Sequence, residues 1–168
     1  MNMKLLSSIF TLTITMLATY SNISHAQEDA EQLMDNAIKS LTEACNTYGN
    51  GGACALVSQA YYDGLVVEQD YKTSLRFSSK GCDKVKKPHG VSCYLAGSDY
   101  DSDIFLTEDY AEGHKYYLKG CKLNDHNSCN EIAVNFENGY GVDEDPEQAE
   151  AFYKKACKLG SKLACDEL

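Results

Sequence analysis

Eight cysteines are the residues of this chain whose number and spacing carry the clearest chemical meaning. They form four successive pairs: Cys45 and Cys54, Cys82 and Cys93, Cys121 and Cys129, and Cys157 and Cys165. The motif Cys-x-x-Cys is absent, so a thioredoxin-type redox function lacks its usual signature. An even number of cysteines is typical of a disulfide framework assembled in an oxidising compartment. We therefore predict structural disulfides.

The other reactive side chains do not form a catalytic or metal-binding motif. His89, His114 and His126 are scattered, with neither a His-Glu-x-x-His nor a His-x-His arrangement. A serine β-lactamase needs Ser-x-x-Lys, and no serine of this chain has a lysine three residues later. We predict no metal site and no cofactor, and the residues argue against an enzyme.

Helical patterns surround every pair of cysteines. Apolar residues recur three and four positions apart from Glu28 to Cys45, a glycine break follows, and a second apolar stretch runs to Tyr62. The first cysteines of successive units are 37, 39 and 36 residues apart. A two-helix unit recurring at about this interval indicates an α-solenoid. We predict an all-α fold of four two-helix repeats, approximately residues 28–64, 70–101, 107–142 and 145–168.

Individual residues indicate where helices begin and which side chains pack inside. Asp145 followed by Pro146 and Gln148 predicts a helix start, and Thr107 predicts another. Aromatic residues at helical spacing predict core packing. They are Phe77, Tyr116, Phe136 and Phe152.

The repeat also predicts how the cysteines pair. Each pair spans the turn between the two helices of one unit, so the two side chains come together locally. Eight cysteines allow 105 connectivities in principle, and the repeat selects Cys45–Cys54, Cys82–Cys93, Cys121–Cys129 and Cys157–Cys165. Each bridge closes a short loop and is worth at most about 2.5 kcal/mol by chain-entropy arguments.

Residues 1–26 have the features of a cleaved secretory signal peptide. Lys4 precedes an apolar run from Leu5 to Ala18, and Ser24-His25-Ala26 provides a small-x-small cleavage pattern before Gln27. The run is too short for a membrane anchor. The remaining domain, residues 27–168, carries 14 Lys and Arg against 25 Asp and Glu. This acidic balance argues against nucleic acid as a partner.

The fourfold pattern resembles the Sel-one-like repeat, a relative of the tetratricopeptide repeat, and in particular the disulfide-bridged Helicobacter cysteine-rich protein family. The resembling residues are Phe152 to Cys157 with Leu159-Gly160 and Cys165, and in the third unit Tyr116 to Cys121, Cys129 and Asn138 to Val142. The resemblance implies a secreted or periplasmic bacterial protein that acts as a scaffold for an unknown protein or peptide partner. The family also implies an alternative, a penicillin-binding protein or weak β-lactamase.

Basic residues concentrate on the first helices of units two to four, the helices that line the concave face in related solenoids. Cationic side chains beside tyrosines on that face predict a site for a carboxylate-bearing ligand. The candidate residues are Arg76, Lys115, Tyr117, Lys119, Tyr153 and Lys155. Because the sequence stops three residues after Cys165, we also expect a truncated last helix that caps the array. We predict a monomer, and the alternative is a dimer formed through the apolar end that the truncated helix leaves.

Overall fold

The computed structural model describes residues 3–102 and 109–168, with side chains from residue 25 onwards. Helices account for most of these residues, and no strand occurs among them. The eight helices in this described part are α1 (Met3–Asn46), α2 (Gly51–Asp63), α3 (Tyr71–Asp83), α4 (Gly90–Asp101), α5 (Tyr110–Lys122), α6 (His126–Asn138), α7 (Pro146–Lys158) and α8 (Lys162–Asp166).

The chain divides into two units, Met1–Ala37 and Ile38–Leu168. The first unit holds the beginning of α1, and the apolar run predicted for the signal peptide lies outside the residues whose side chains are described. Within the part that was described, no helix combines the length and the apolar character needed to cross a bilayer. The second unit contains all eight cysteines.

Short polar side chains start the helices. Asp70, Asp109, Asp125 and Asp145 each accept hydrogen bonds from backbone N–H groups two or three residues ahead, which satisfies donors that the first turn leaves without partners. The helix start predicted at Asp145 and Pro146 is confirmed. Thr107, predicted as another start, lies outside the described residues, and Asp109 caps α5.

Four helix pairs, each joined by one disulfide, form the second unit, to which α1 contributes residues 38–46. The pairs are α1 with α2, α3 with α4, α5 with α6 and α7 with α8, and below each is called a hairpin, numbered one to four. The bridges are Cys45–Cys54, Cys82–Cys93, Cys121–Cys129 and Cys157–Cys165, with Cα atoms 4.7–4.8 Å apart. Successive hairpins stack, with α2 on α3, α4 on α5 and α6 on α7. The predicted all-α solenoid of four repeats, each with its own disulfide, is confirmed.

An aromatic pair fills each junction between neighbouring hairpins. The rings of Tyr61 and Phe77 stack at 6.2 Å. Those of Tyr100 and Tyr116 stack at 5.6 Å, and those of Phe136 and Phe152 at 5.9 Å. In every pair the second ring lies 16 residues after the first. The aromatic residues predicted for the core therefore pack at the junctions that hold the stack together.

Candidate ligand-binding faces

Three equivalent lysines, each two residues before the first cysteine of its hairpin, reach back to the preceding hairpin. Lys119 Nζ lies 2.8 Å from both carboxylate oxygens of Asp83 and 4.6 Å from the centre of the Tyr116 ring. Lys80 Nζ donates to Asn46 Oδ1 at 2.5 Å, and Lys155 Nζ donates to the carbonyl oxygen of Cys121 at 3.1 Å. These lysines therefore link adjacent hairpins.

The cations one helical turn earlier have different surroundings. Arg76 is exposed, and its guanidinium carbon lies 5.0 Å from the centre of the Phe77 ring. Lys115 Nζ donates to Glu112 on its own helix at 2.6 Å, and this hydrogen bond raises the pKa of Lys115. Ala151 occupies the equivalent position of α7. Of the predicted cationic residues, Lys115 and Lys119 are thus already paired with carboxylates.

Tyr117 and Tyr153, predicted beside those lysines, are only 2% and 6% exposed. The hydroxyl of Tyr153 donates to Glu137 Oε2 at 2.8 Å. Tyr117 is hydrogen-bonded to Asp101, and burial, reinforced by this carboxylate, raises the pKa of the phenol well above its ordinary value. Both rings belong to the core, and each binds a carboxylate of the preceding hairpin.

The helices α2, α4 and α6 present a face without lysine or arginine. Below it is called the acidic face. On α6, the carboxyl group of Glu131 is partly buried, and its pKa is raised by burial and partly lowered by a hydrogen bond with Asn130. Burial also raises the pKa of Tyr94 on α4, and the nearby Glu131 carboxylate adds to the shift. Of the other acidic residues on these helices, Asp63 and Glu137 are exposed, Asp101 is partly buried and Asp99 lies inside the fold.

A buried polar network lies between α2, α3 and α4. The hydroxyl groups of Ser58 and Ser74 are 3.0 Å apart, and Ser78 Oγ donates to Asp99 Oδ2 at 3.1 Å. Asp99 is 2% exposed, and its burial raises the pKa of the carboxyl group to about 7. This network holds hydroxyl groups inside the fold, away from any ligand in solvent.

Histidine has a packing role in the third hairpin. His114 is buried, with its ring edge-on to Phe136 at 5.3 Å and its Nδ1 3.3 Å from Asn135 Nδ2. Burial lowers the pKa of the imidazole. Among the side chains that the structure describes, no three His, Cys, Asp or Glu residues are grouped in a way that could hold a metal ion.

Sequence reasoning did not identify the partners of these lysines and tyrosines, although the spacing contained a signal. Asn46 and Asp83 each directly follow the first cysteine of a hairpin, where the next hairpin's lysine reaches them. Asp101 and Glu137 each lie eight residues after the second cysteine and 16 residues before their tyrosine. The spacing is regular, but it became meaningful only once the stacking of the hairpins showed which side chains meet.

Comparison with known proteins places these features in a family context. The family model described as Sel1 repeat matches residues 51–84, 90–125 and 126–161, together more than half of the chain. These segments pair α2 with α3, α4 with α5 and α6 with α7, so that family's repeat begins at the second helix of each hairpin. No curated protein matches the chain significantly.

Solved structures with the same fold include two from pathogens. Helicobacter pylori cysteine-rich protein B is 30% identical, with a TM-score of 0.58 over 78% of this chain and 96% of its own. The protective antigen c5321 of uropathogenic Escherichia coli is 21% identical, with a TM-score of 0.67 over 76% of this chain, which spans only 26% of that antigen. A Sel1 repeat protein from Oxalobacter formigenes is 19% identical, with a TM-score of 0.64 and coverage of 77% and 95%.

Proposed function

Because the chain belongs to the Sel1 repeat family, in its disulfide-bridged Helicobacter cysteine-rich branch, we propose that it is an exported scaffold that binds a protein or peptide. The binding surface in this proposal is the acidic face, and the partner segment carries lysine or arginine. One observation carries the proposal: α2, α4 and α6 have no lysine or arginine, whereas α3, α5 and α7 each have three.

Burial of charge on the acidic face supports a cationic partner. Glu131 is partly buried, and only a hydrogen bond with Asn130 offsets the effect of burial on its pKa. A lysine or arginine of a partner would stabilise the ionised carboxylate, because an opposite charge in a partly desolvated site interacts strongly. The neighbouring ring of Tyr94 offers a surface on which a cationic group can also rest.

Export is supported by the covalent framework. All eight cysteines of the described chain are paired in disulfides. Disulfides form and persist in oxidising, extracytoplasmic compartments. The likeness to an H. pylori cysteine-rich protein points to the same kind of compartment. We propose the periplasm or the extracellular medium of a bacterium as the place of action.

The penicillin-hydrolase alternative gains no support from the serines of the polar network. Ser58, Ser74 and Ser78 are each at most 1% exposed. Their hydroxyl groups pair with one another, with a backbone carbonyl or with Asp99. A nucleophile for a β-lactam must be accessible to the substrate and activated by a base. The buried Ser58, Ser74 and Ser78 do not meet this requirement.

Binding of a matched pair of peptides tests the proposal. We would titrate the oxidised protein with two peptides of equal length that differ only in carrying lysines or glutamates, and follow the heat of binding. The lysine peptide is expected to bind saturably. Its affinity is expected to fall with added salt, because charge pairing drives association. The glutamate peptide is expected not to bind.

Two single-charge variants locate the interaction. Glu131→Gln removes one charge from the acidic face and is expected to weaken binding of the lysine peptide roughly fivefold or more. Glu150→Gln removes the same charge from the exposed surface of α7, where Glu150 pairs with Lys154, and is expected to have no effect. Equal binding of both peptides, or equal effects of the two variants, would contradict the proposal.

A further inference from the structure

The turns inside the four hairpins follow one another along one edge of the second unit. The N–H group of Gly51 in the first turn donates to the carbonyl oxygen of Lys87 in the second at 3.0 Å. The second and third turns line a common cavity of about 270 Å³. Lys155, just before the fourth turn, donates to the carbonyl oxygen of Cys121, just before the third, at 3.1 Å. These turns are called the turn edge below, and each is taken from the residue after the first cysteine to two residues before the second: residues 46–52, 83–91, 122–127 and 158–163.

Positive charge collects on the turn edge, although the chain as a whole is acidic. The two carboxylates of this edge are both engaged within the protein. Asp83 is contacted by Lys119 at 2.8 Å, and Asp125 accepts hydrogen bonds from the backbone N–H and the hydroxyl group of Ser128 at 2.7 and 2.6 Å. Six lysines of the edge are exposed, and within the part of the chain that the structure describes none of them forms an ion pair at salt-bridge distance. They are Lys84, Lys86, Lys87, Lys122, Lys158 and Lys162.

The opposite edge of the hairpins has the opposite charge. It is formed by the segments that connect one hairpin to the next, and is called the connecting edge below. The two such segments that the structure describes in full, residues 64–70 and 139–145, contain no lysine or arginine. Their acidic residues are Glu68, Asp70, Asp143, Glu144 and Asp145. This separation of charge orients the protein near an anionic surface, with the turn edge toward that surface.

An exposed apolar side chain accompanies the charges on every turn. The four side chains, in chain order, are 67%, 39%, 43% and 72% exposed, so each presents more than a third of its surface to solvent. They are Tyr48, Val91, Leu123 and Leu163. Single exposed apolar residues are common on soluble proteins. Their recurrence among lysines along one edge is typical of surfaces that lie at a membrane interface, where ammonium groups meet lipid phosphates and apolar groups enter the boundary of the acyl chains.

We propose that the turn edge docks on an anionic phospholipid bilayer and so holds the protein at a membrane surface. Nucleic acids and acidic polysaccharides would pair with the lysines but leave the four apolar side chains in water, whereas a bilayer accommodates both. The turn edge also lacks arginine, whose planar group suits bidentate recognition of single anions. Its lysines are point charges, which suit a diffuse layer of headgroups. This docking does not depend on the partner that the acidic face binds.

Sedimentation with vesicles of defined composition tests the proposal. We would use the oxidised chain that begins at Gln27, because the apolar run of residues 5–18 would bind lipid by itself. The probes are vesicles of phosphatidylcholine mixed with an equal amount of phosphatidylglycerol, and neutral vesicles of phosphatidylcholine alone. We expect saturable binding to the anionic vesicles that weakens with added salt, and no binding to the neutral vesicles. Soluble glycerol phosphate, at the phosphate concentration of the vesicles, and the glutamate peptide are expected not to displace the protein, because neither provides an interface for the apolar side chains.

Two triple variants with the same change in net charge locate the contact. Replacing three lysines of the second turn by glutamine is expected to weaken binding to the anionic vesicles roughly tenfold or more. These are Lys84, Lys86 and Lys87. The same replacement of three exposed lysines on the first helices of the hairpins is expected to leave binding nearly unchanged, because these side chains lie outside the turn edge. The control lysines are Lys72, Lys115 and Lys154.

A pair of leucine variants tests the apolar part of the contact. Leu123→Ser removes an apolar side chain from the turn edge and is expected to weaken binding roughly threefold or more. Leu65→Ser makes the same change on the connecting edge, where the leucine is 83% exposed, and is expected to have no effect. The proposal would be overturned by a lack of saturable binding to anionic vesicles, by equal losses in the two triple variants, by unchanged binding of Leu123→Ser, or by displacement with glycerol phosphate. Displacement by the glutamate peptide would also overturn it, in favour of an acidic protein partner.

Discussion

At the scale of single residues, Asp99 is the side chain whose state is most sensitive to its surroundings. Its carboxyl group is enclosed by α2, α3 and α4, where the Ser78 hydroxyl is its hydrogen-bond donor. Burial outweighs this hydrogen bond and raises the pKa of Asp99 to about 7. An aspartate in an unfolded chain has a pKa near 3.9. The folded protein therefore holds a proton that the unfolded chain has released across most of the acidic range.

This difference predicts that the folded state loses stability as the pH rises. Between about pH 4 and pH 7 the folded state binds more protons than the unfolded chain at this site, so the free energy of unfolding falls across that interval by up to about 4 kcal/mol. Asp99→Asn keeps the shape and an acceptor for Ser78 but removes the titration. We expect the variant to lack this part of the pH dependence and to be more stable than the parent at pH 8, as measured by urea unfolding at several pH values.

A matched substitution separates this effect from the titration of other groups. Asp63→Asn makes the same chemical change at the exposed end of α2 and is expected to follow the parent curve. The burial of His114 lowers the pKa of its imidazole and acts in the opposite sense, weakening the fold as the pH falls. Because His114 is present in both proteins, its contribution to the pH dependence of stability cancels when Asp99→Asn is compared with the parent. If the free energies of unfolding of Asp99→Asn and of the parent changed in parallel with pH, the role given to Asp99 would be contradicted.

At the scale of helices and hairpins, a small residue precedes every cysteine. These residues allow the two helices of each hairpin to approach until the cysteine Cα atoms are 4.7–4.8 Å apart. A Cβ atom on Gly120 would lie 2.1 Å from Ser128 Oγ, so glycine is required there by close approach. The small residues are Ala44, Ala53, Gly81, Ser92, Gly120, Ser128, Ala156 and Ala164.

The disulfides of hairpins three and four offer a matched test of what a bridge contributes. Both join cysteines eight residues apart, so the loop-closure entropy is the same and worth about 2–3 kcal/mol. Cys121 and Cys129 are at most 1% exposed, whereas Cys165 is exposed. Replacing Cys121 and Cys129 by alanine is therefore expected to cost more than replacing Cys157 and Cys165, because the buried pair also leaves a cavity.

Chemical unfolding of the two double variants measures the difference. We expect the variant of the third hairpin to unfold at a urea concentration clearly below that of the fourth, with an added cost of about 1–2 kcal/mol for the lost packing. The five-residue α8 is too short to persist without tertiary contacts. We therefore expect its helical structure to be weakened in the fourth-hairpin variant. Equal midpoints would mean that loop entropy alone sets the contribution of these bridges.

At the scale of the whole molecule, the same contacts recur from one junction to the next. Stacked aromatic rings occur at three successive junctions, lysines reach back at the same three, and tyrosine–carboxylate pairs occur at two. Each hairpin is thus stabilised mainly by its neighbours, as in other solenoids. The family's repeat begins at the second helix of a hairpin, whereas the disulfide-linked hairpin begins at the first. Both divisions describe the same stack of helices.

The proposed export predicts the mass of the protein recovered from a secreting bacterial host. The signal-peptide pattern ends before Gln27, so we expect a chain that begins at Gln27 and lacks eight hydrogens because of four disulfides. Intact-mass spectrometry before and after reduction checks both features. Recovery of a chain that retains residues 1–26, or labelling of thiols without reduction, would contradict the prediction.

The amino-acid sequence by itself determined the class of fold and the order of its helices. Cysteines and apolar residues recurring at a fixed interval predict the hairpins, because helical periodicity and local disulfides depend on neighbours in the chain. The start of α7 at Asp145 and Pro146 and the packing of Phe77 and Tyr116 were predictable for the same reason.

Only the tertiary structure decided which charged groups are engaged. Lys119 and Tyr153 look available in sequence, but Lys119 contacts Asp83 and Tyr153 contacts Glu137 of the preceding hairpin. Whether Lys80 meets a carboxylate or an amide depends on a residue 34 positions away. The pKa of Asp99 likewise depends on enclosure by three helices. Such pairings arise from the stacking of hairpins, and local sequence patterns do not encode burial or distance between side chains so far apart in the chain.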